Sequence, residues 1–304
     1  MTDGAATTRQ SDYGSLQRVV LAHARAAFAS QAAIDAQWRQ LDYAAPPAFD
    51  RAVAEYDAFE ALFTARGVLV EHLPAAPDLG LDSLYVRDAS VVCDRGVVLC
   101  RMGKQARAAE PRAQGRLFAA LGLPLAGRIT APGTLEGGDV VWLDSRTVAV
   151  GHGYRTNGAG IKQLRALLGD AIDELIVVPL PHHRGPRDVF HLMSIVSPLA
   201  RDLALVYSPL MPVPFRQTLL ARGFELVEVA AEELDSLGAN SLALGPRACL
   251  LARGNPRTRA RLERAGVEVV EFAGAEIAVK GGGGPTCLTR PLEWRLEPEP
   301  AATG

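Results

Sequence analysis

The stretch SLYVRDASVVCDRGVVLCRM (residues 83–102) decides the fold, because two apolar β-rich runs flank the polar turn Asp94-Arg95-Gly96. Such a pattern is typical of a β-hairpin. It returns in GDVVWLDSRTVAVGHG (138–153), HLMSIVSPLARDLALVYSPL (191–210) and NSLALGPRACLLARG (240–254). Recurrence at intervals of about 50 residues indicates an internal repeat.

Each hairpin leads into a helical pattern and then one more strand. The spacing of apolar residues predicts helices over 111–121, 157–169, 214–222 and 255–265. Strands are expected to follow at 124–129, 174–181, 224–230 and 267–272. Asn157 and Asn255 are suitable N-cap residues for two of these helices. The repeating unit is therefore ββαβ.

A fifth copy of the unit is split between the chain ends. GPTCLTRPL (284–292) and LQRVVLA (16–22) would form its hairpin, followed by a helix near 48–65 and the strand GVLVEHLP (67–74). A unit with one helix cannot bury its own apolar face, so several units must share a core. We expect an α/β fold, a five-fold pseudosymmetric α/β propeller of ββαβ units. A helix-flanked parallel sheet with a nucleotide crevice fits less well, because parallel strands need crossovers rather than hairpins.

Length and composition indicate the domain organisation and argue against several classes of partner. The 304 residues are 48% hydrophobic and 22% charged with a net charge of −2, the balance of a soluble globular protein. We expect one catalytic domain over residues 15–295, with disordered tails at 1–14 and 296–304. The sequence has no basic face that would predict nucleic-acid binding. It also has no apolar run or leader that would predict membrane insertion or secretion. A cytoplasmic protein is expected, and a homodimer is compatible with the sequence.

One of the four cysteines stands in an unusual context. Cys93, Cys100 and Cys249 lie in apolar runs typical of core strands. Cys287 instead follows the glycine run Gly281–Gly284 in GGGGPTC. Glycines can let a backbone and a substrate approach a thiol closely, although such a run also suits a solvent loop. The context makes Cys287 a candidate nucleophile.

Polar residues near the strand ends supply partners for this thiol. His191 in FHLMS is a candidate acid/base, and Glu136 in TLEGGD could fix its ring through a hydrogen bond. Each residue could equally serve a structural purpose, His191 in the core and Glu136 in a turn.

Four charged residues could bind a substrate with a cationic head and a carboxylate. Asp82 and Asp88 in LDSLYVRD are expected on one face of a strand-like segment, where they would bind positive charge. Arg101 and Arg155 would bind a carboxylate in bidentate geometry. A substrate with both groups is similar to arginine.

The motifs together resemble a known superfamily. The order RD, LEGGD, GYRTN, FHL and GGGGPTC resembles that of the guanidine-modifying enzymes with the pentein fold, over about residues 15–295. That group includes dimethylarginine dimethylaminohydrolases, arginine deiminases, citrullinases and amidinotransferases. The resemblance implies a five-fold α/β propeller and no metal or organic cofactor.

The resemblance also implies a role for each candidate residue. Cys287 matches the nucleophile, His191 the acid/base and Glu136 the acidic residue of the EGGD-type motif. Asp88 matches the carboxylate that holds the guanidinium, and Asp82 a residue near the substrate amine. Arg101 and Arg155 match the arginines that hold the α-carboxylate. The implied activity is hydrolysis of a C–N bond of a guanidino or ureido amino acid through a covalent cysteine intermediate.

One departure from the pattern bears on the substrate. Arginine deiminases and amidinotransferases usually read H-x-D, whereas this chain reads His191-Leu192-Met193. Dimethylargininases also lack that aspartate, and their HL-x-S pattern is matched here by Ser194. We therefore expect hydrolysis of dimethylarginine to citrulline and an amine.

Other activities stay open at this point. A citrullinase, an arginine deiminase-type hydrolase and an amidinotransferase are the alternatives within the superfamily, and a non-catalytic binding relative is a further one. A metal site built from His182, His183 and His191 is not expected, because no spaced partner set accompanies them.

Overall fold

The predicted repeats are five separate small sheets in the computed structural model, which describes residues 6–188 and 190–297. The strands are β1 (Ala6–Thr8), β2 (Ser15–Leu21), β3 (Leu69–His72), β4 (Ser90–Cys93), β5 (Gly96–Leu99), β6 (Leu125–Arg128), β7 (Val140–Trp142), β8 (Thr147–His152), β9 (Glu174–Pro179), β10 (Val196–Ala200), β11 (Leu203–Val206), β12 (Glu225–Glu228), β13 (Leu242–Gly245), β14 (Ala248–Ala252), β15 (Glu268–Phe272) and β16 (Thr289–Leu296). The helices are α1 (Ala24–Phe28), α2 (Gln31–Gln37), α3 (Phe49–Thr64), α4 (Glu110–Ala120), α5 (Gly158–Leu168), α6 (Val213–Ala221) and α7 (Pro256–Arg264).

Every sheet repeats one pairing pattern. In the sheets β4-β5-β6, β7-β8-β9, β10-β11-β12 and β13-β14-β15, the first two strands pair antiparallel and the last two parallel. A helix connects each parallel pair, as such a crossover requires. The hairpins and all five predicted helices are confirmed. The short helices α1 and α2 were not predicted.

The fifth sheet is assembled from the two chain ends, as expected. Strand β16 pairs antiparallel with β2, which pairs parallel with β3 after the crossover helix α3. The first strands of neighbouring sheets are in contact, since β16 lies against β4, β7 against β10, and β10 against β13. The loops that enter these first strands therefore lie near one another.

Residues 6–14 correct the predicted disordered tail. Strand β1 adds to β16 as a fourth strand, so residues 6–8 are paired. The following segment is buried, with the Asp12 carboxylate accepting hydrogen bonds from Arg87 Nη1 at 3.2 Å and Trp142 N at 2.8 Å. Polar composition predicted disorder here, but the Asp12 carboxylate pairs with one buried donor just before β4 and another in β7. Residues 1–5 and 298–304 lie outside the described part of the chain.

No helix among the described residues has the length and apolar character that a membrane span requires.

Replacing Asp12 with alanine tests this anchoring. Arg87 is buried, so the change leaves its charge without this carboxylate. Breaking a buried ion pair in this way typically costs about 3–5 kcal/mol, and we expect a loss of that size in the free energy of unfolding. Urea denaturation measures it. The exposed pair Asp173–Arg146 is the control, since Asp173→Ala should cost at most about 1 kcal/mol. Equal losses would show that Asp12 does not anchor the segment.

Candidate active site

Each of the five sheets contributes one polar residue just before its first strand. Asp88 precedes β4, Glu136 precedes β7, His191 precedes β10, Asn240 precedes β13 and Cys287 precedes β16. Because the first strands of the sheets contact one another, these residues from distant parts of the chain can meet.

His191 lies between two carboxylates. Its Nε2 is 2.8 Å from Glu136 Oε2, and its Nδ1 is 3.8 Å from Asp88 Oδ1. All three side chains are almost fully buried. Nε2 is thus engaged by Glu136, and Nδ1 is the nitrogen better placed to exchange a proton with another group.

Glycine and backbone amides hold the two carboxylates in place. Gly138 N donates to Asp88 Oδ1, and a Cβ at Gly138 would stand 2.6 Å from His191 Nδ1. The second glycine of LEGGD is therefore required for His191 and Asp88 to approach this closely. Gly103 N and Lys104 N donate to Glu136 Oε1 at 2.9 and 3.0 Å.

The electrostatics of the cluster favour the ionised forms of Glu136 and His191. Burial opposes ionisation of Glu136, but the hydrogen bond and charge of His191, with Arg155, lower the pKa of Glu136 to about 2. Burial likewise opposes the charge on His191, but Asp88, Asp139 and Glu136 outweigh it and raise the pKa of His191 to about 9. Near neutral pH, His191 is an imidazolium and can act as an acid.

Cys287 and His191 line one cavity of about 380 Å³. Asn240 Nδ2 lies 3.6 Å from Cys287 Sγ, and Asn240 Oδ1 accepts from Thr286 N at 3.0 Å. Burial, and then the charge of Asp88, raise the pKa of the Cys287 thiol to about 11. The resting residue is therefore a protonated thiol, and a cation beside it would favour the reactive thiolate.

The glycine run before Cys287 makes room for neighbouring side chains. A Cβ at Gly281 would meet Tyr85 Oη at 1.9 Å, and one at Gly284 would meet Asn240 Oδ1 at 2.4 Å. The run thus admits the side chains of Tyr85 and Asn240, and the approach of a substrate to the thiol stays a prediction.

The predicted binding residues divide into two groups. Asp82 is buried against Lys104 Nζ at 2.7 Å, and Arg155 is buried with Nη1 3.3 Å from Glu136 Oε2. Both join the polar network around the site, although Asp82 stands in a short 3-10 turn rather than in a strand. Arg101 does not join it, because its exposed side chain lines a different groove and donates to Gly133 O.

Several residues of the site were not predicted. Arg107 is buried with Nη1 2.5 Å from Asp88 Oδ2, and it also contacts Glu110. Asn240 was also missed, although its place at the start of the fourth hairpin is equivalent to those of Glu136, His191 and Cys287. Arg184 and Arg187 also line the cavity, and Arg184 pairs there with Asp235.

Asp88, Glu136 and His191 could in principle hold a metal ion, since one ligand atom from each lies within 4.8 Å of the others. Both ring nitrogens of His191 already face carboxylates, and Arg107 and Arg155 each pair with one of those carboxylates. Three cationic groups thus occupy the space around this carboxylate pair. These groups already balance the carboxylate charge that would attract a metal ion.

Comparisons with known proteins agree with this geometry. The family model for eukaryotic N,N-dimethylarginine dimethylhydrolase matches residues 24–293. The chain belongs to the dimethylarginine dimethylhydrolase family. A Streptomyces coelicolor N(G),N(G)-dimethylarginine dimethylaminohydrolase is 31% identical over 243 residues, covering 78% of this chain and 84% of that enzyme.

Solved structures show that the fold is shared with the dimethylarginine dimethylhydrolase family and related enzymes. A dimethylarginine dimethylaminohydrolase carrying an S-methyl-L-thiocitrulline adduct has a TM-score of 0.74 at 22% identity, covering 92% of this chain and all of that one. The N-terminal domain of ArgZ, a cyanobacterial arginine dihydrolase bound to its product, has a TM-score of 0.77 at 19% identity, covering 90% and 97%. The resemblance to pentein enzymes is confirmed.

Replacing Glu136 with glutamine should lower the pKa of His191. The change removes the negative charge 2.8 Å from Nε2, so the imidazolium loses its closest partner. We expect the pKa of His191 to fall from about 9 by at least one pH unit, which corresponds to about 1.4 kcal/mol. NMR titration of the His191 ring measures it, with Asp173→Asn as a distant surface control. An unchanged midpoint would contradict the role assigned to Glu136.

Proposed function

We propose that this protein hydrolyses a C–N bond of a guanidino amino acid, with N-methylated arginine as its substrate and citrulline plus an amine as its products. The observation that carries the proposal is the shared cavity of Cys287 and His191, with Glu136 and Asp88 beside the imidazole. Membership of the dimethylarginine dimethylhydrolase family supports the substrate class.

The proposal includes the wider architecture. The five sheets form the blades of a closed α/β propeller within one catalytic domain. The contacts between first strands support this arrangement, because they bring the five polar residues to one end. We place the enzyme in the cytoplasm, acting on a small molecule without a cofactor.

The first stage forms a C–S bond. A guanidinium held beside Asp88 lowers the pKa of the Cys287 thiol, which releases its proton to solvent. The thiolate attacks the guanidinium carbon, the C–N bond to the substituted nitrogen breaks, and His191 gives its proton to the departing amine. A cationic amidino-thioether intermediate remains on Cys287, and His191 is left neutral.

The second stage restores the enzyme. Neutral His191 takes a proton from water, and the oxygen attacks the intermediate carbon. The C–S bond then breaks, and the proton on the new hydroxyl group passes to the departing sulfur, which releases the ureido product and restores the Cys287 thiol beside a charged His191. Glu136 stabilises the imidazolium in both stages, and general acid/base catalysis of this kind contributes about 10²–10⁴ in rate.

The lining of the cavity supports a methylated head group. Met193 lines the cavity beside His191, where its apolar side chain can contact N-methyl groups. Asp88 is the proposed partner of the guanidinium, and Asp82, which pairs with Lys104, is the proposed residue near the substrate amine. Arg155 is the proposed partner of the α-carboxylate. Arg101 has no place in this scheme, because its groove is separate.

A substrate panel tests the proposal. Dimethylarginine, monomethylarginine, arginine, citrulline and agmatine, followed by ureido and ammonia assays, separate dimethylargininase, deiminase and citrullinase activities. Added glycine or ornithine detects amidino transfer. Turnover of arginine in preference to dimethylarginine would favour a deiminase, and turnover of none would overturn the proposal.

Cys287→Ser should abolish turnover without loss of the fold. Serine is nearly isosteric, but its hydroxyl is a far weaker nucleophile, so we expect turnover below about one hundredth of wild type. Cys249→Ser is the matched control, because that buried thiol lies in a core strand and should affect stability more than kcat. Substantial activity in Cys287→Ser would exclude the proposed nucleophile.

Met193→Asp should shift the preference of the enzyme from methylated to unmethylated arginine. A new carboxylate at the cavity wall would pair with N–H groups that methylation removes. We expect the ratio of kcat/KM for arginine to that for dimethylarginine to rise about tenfold, which corresponds to about 1.4 kcal/mol. Met193→Asn, of similar size but uncharged, is the control. An equal ratio in wild type and Met193→Asp would mean that Met193 does not face the head group.

A further inference from the structure

A second and larger cavity lies outside the catalytic site. This groove has a volume of about 660 Å³ and runs between α4, β5 and β6. It shares no lining residue with the cavity of Cys287. Its volume is within the range of about 300–1,000 Å³ that is usual for small-molecule sites.

The floor of the groove is apolar. Val97, Leu99, Met102 and Phe118 line it from buried positions. Leu125 adds a large apolar side chain that is 52% exposed to solvent. An apolar floor with an exposed leucine offers surface that an apolar ligand would remove from water.

The rim of the groove is cationic. Arg101, Arg112, Arg116 and Arg128 line it, and no aspartate or glutamate is among the lining residues. Arg112 pairs with Asp78 outside the groove, and the charge of Arg116 acts on the same carboxylate. Arg101 donates to Gly133 O. Neither Arg101 nor Arg128 forms an ion pair with another of the described residues. Positive charge at the rim therefore remains uncompensated.

We propose that this groove binds an anionic amphiphile, a small molecule with one carboxylate-like head group and an apolar body. The body lies on the floor, and the head group pairs with Arg128 and Arg101 at the rim. Guanidinium groups suit this role because they bind carboxylates in bidentate geometry. The short side chains of Ala108 and Ala119 on the helical side leave the groove open.

Fluorescence titration with 8-anilinonaphthalene-1-sulfonate, an anionic amphiphile, tests the proposal on the full folded chain. We expect saturable binding to one site and displacement by decanoate, but not by decylamine, which has the same chain length and the opposite charge. Equal displacement by decylamine, or no saturable binding, would overturn the proposal.

Two variants at exposed positions locate the site. Arg128→Glu reverses a rim charge, and Ala119→Trp fills the groove from an exposed helical position. Each should weaken probe binding at least tenfold. Arg264→Glu and Ala260→Trp make the same changes on the exposed face of α7 and should leave binding unchanged. Wild-type affinity in both groove variants, with near-UV circular dichroism confirming their folds, would place the probe elsewhere and refute the assignment.

Discussion

The buried contact between His191 and Glu136 is the interaction on which the rest of the site depends. An imidazolium and a carboxylate removed from water are costly unless each finds partners. Glu136 finds them in two backbone amides and Arg155, and His191 finds a second carboxylate in Asp88. The loops of two neighbouring sheets are therefore arranged around this pair, which explains the second glycine of LEGGD, Gly138.

The repeated architecture produces this arrangement from one kind of structural unit. Every unit presents one polar residue before its first strand, and contact between first strands gathers residues separated by up to 199 positions, from Asp88 to Cys287. The five positions are equivalent in structure but differ in chemistry, with two carboxylates, an imidazole, an amide and a thiol. A repeat that builds a core can thus also build an asymmetric site.

The elements that repeat could be predicted from sequence, because hairpin turns and helical spacing are local signals. Asn157 caps α5 as expected, with its side chain accepting from Gly160 N, whereas the Asn255 side chain does not cap α7 and instead donates to Ser236 O. Arg101 was misplaced because it is flanked by Cys100 and Met102, both buried, so alternation turns it outward. Arg107 was missed because its contact with Asp88 is tertiary, and the segment at 6–14 because its partners lie far away in the sequence.

The protonation states of Cys287 and His191 determine the order of the proposed catalytic steps. Burial keeps the thiol protonated, and the surrounding carboxylates keep the imidazole charged, so the resting pair is a neutral nucleophile beside an acid. A catalytic base close to Cys287 would yield a thiolate at all times and expose it to oxidation. Here the cation that ionises the thiol would be the substrate itself. On the proposed chemistry, reactivity is therefore confined to the occupied site, and the acid needed for the leaving amine is already in place.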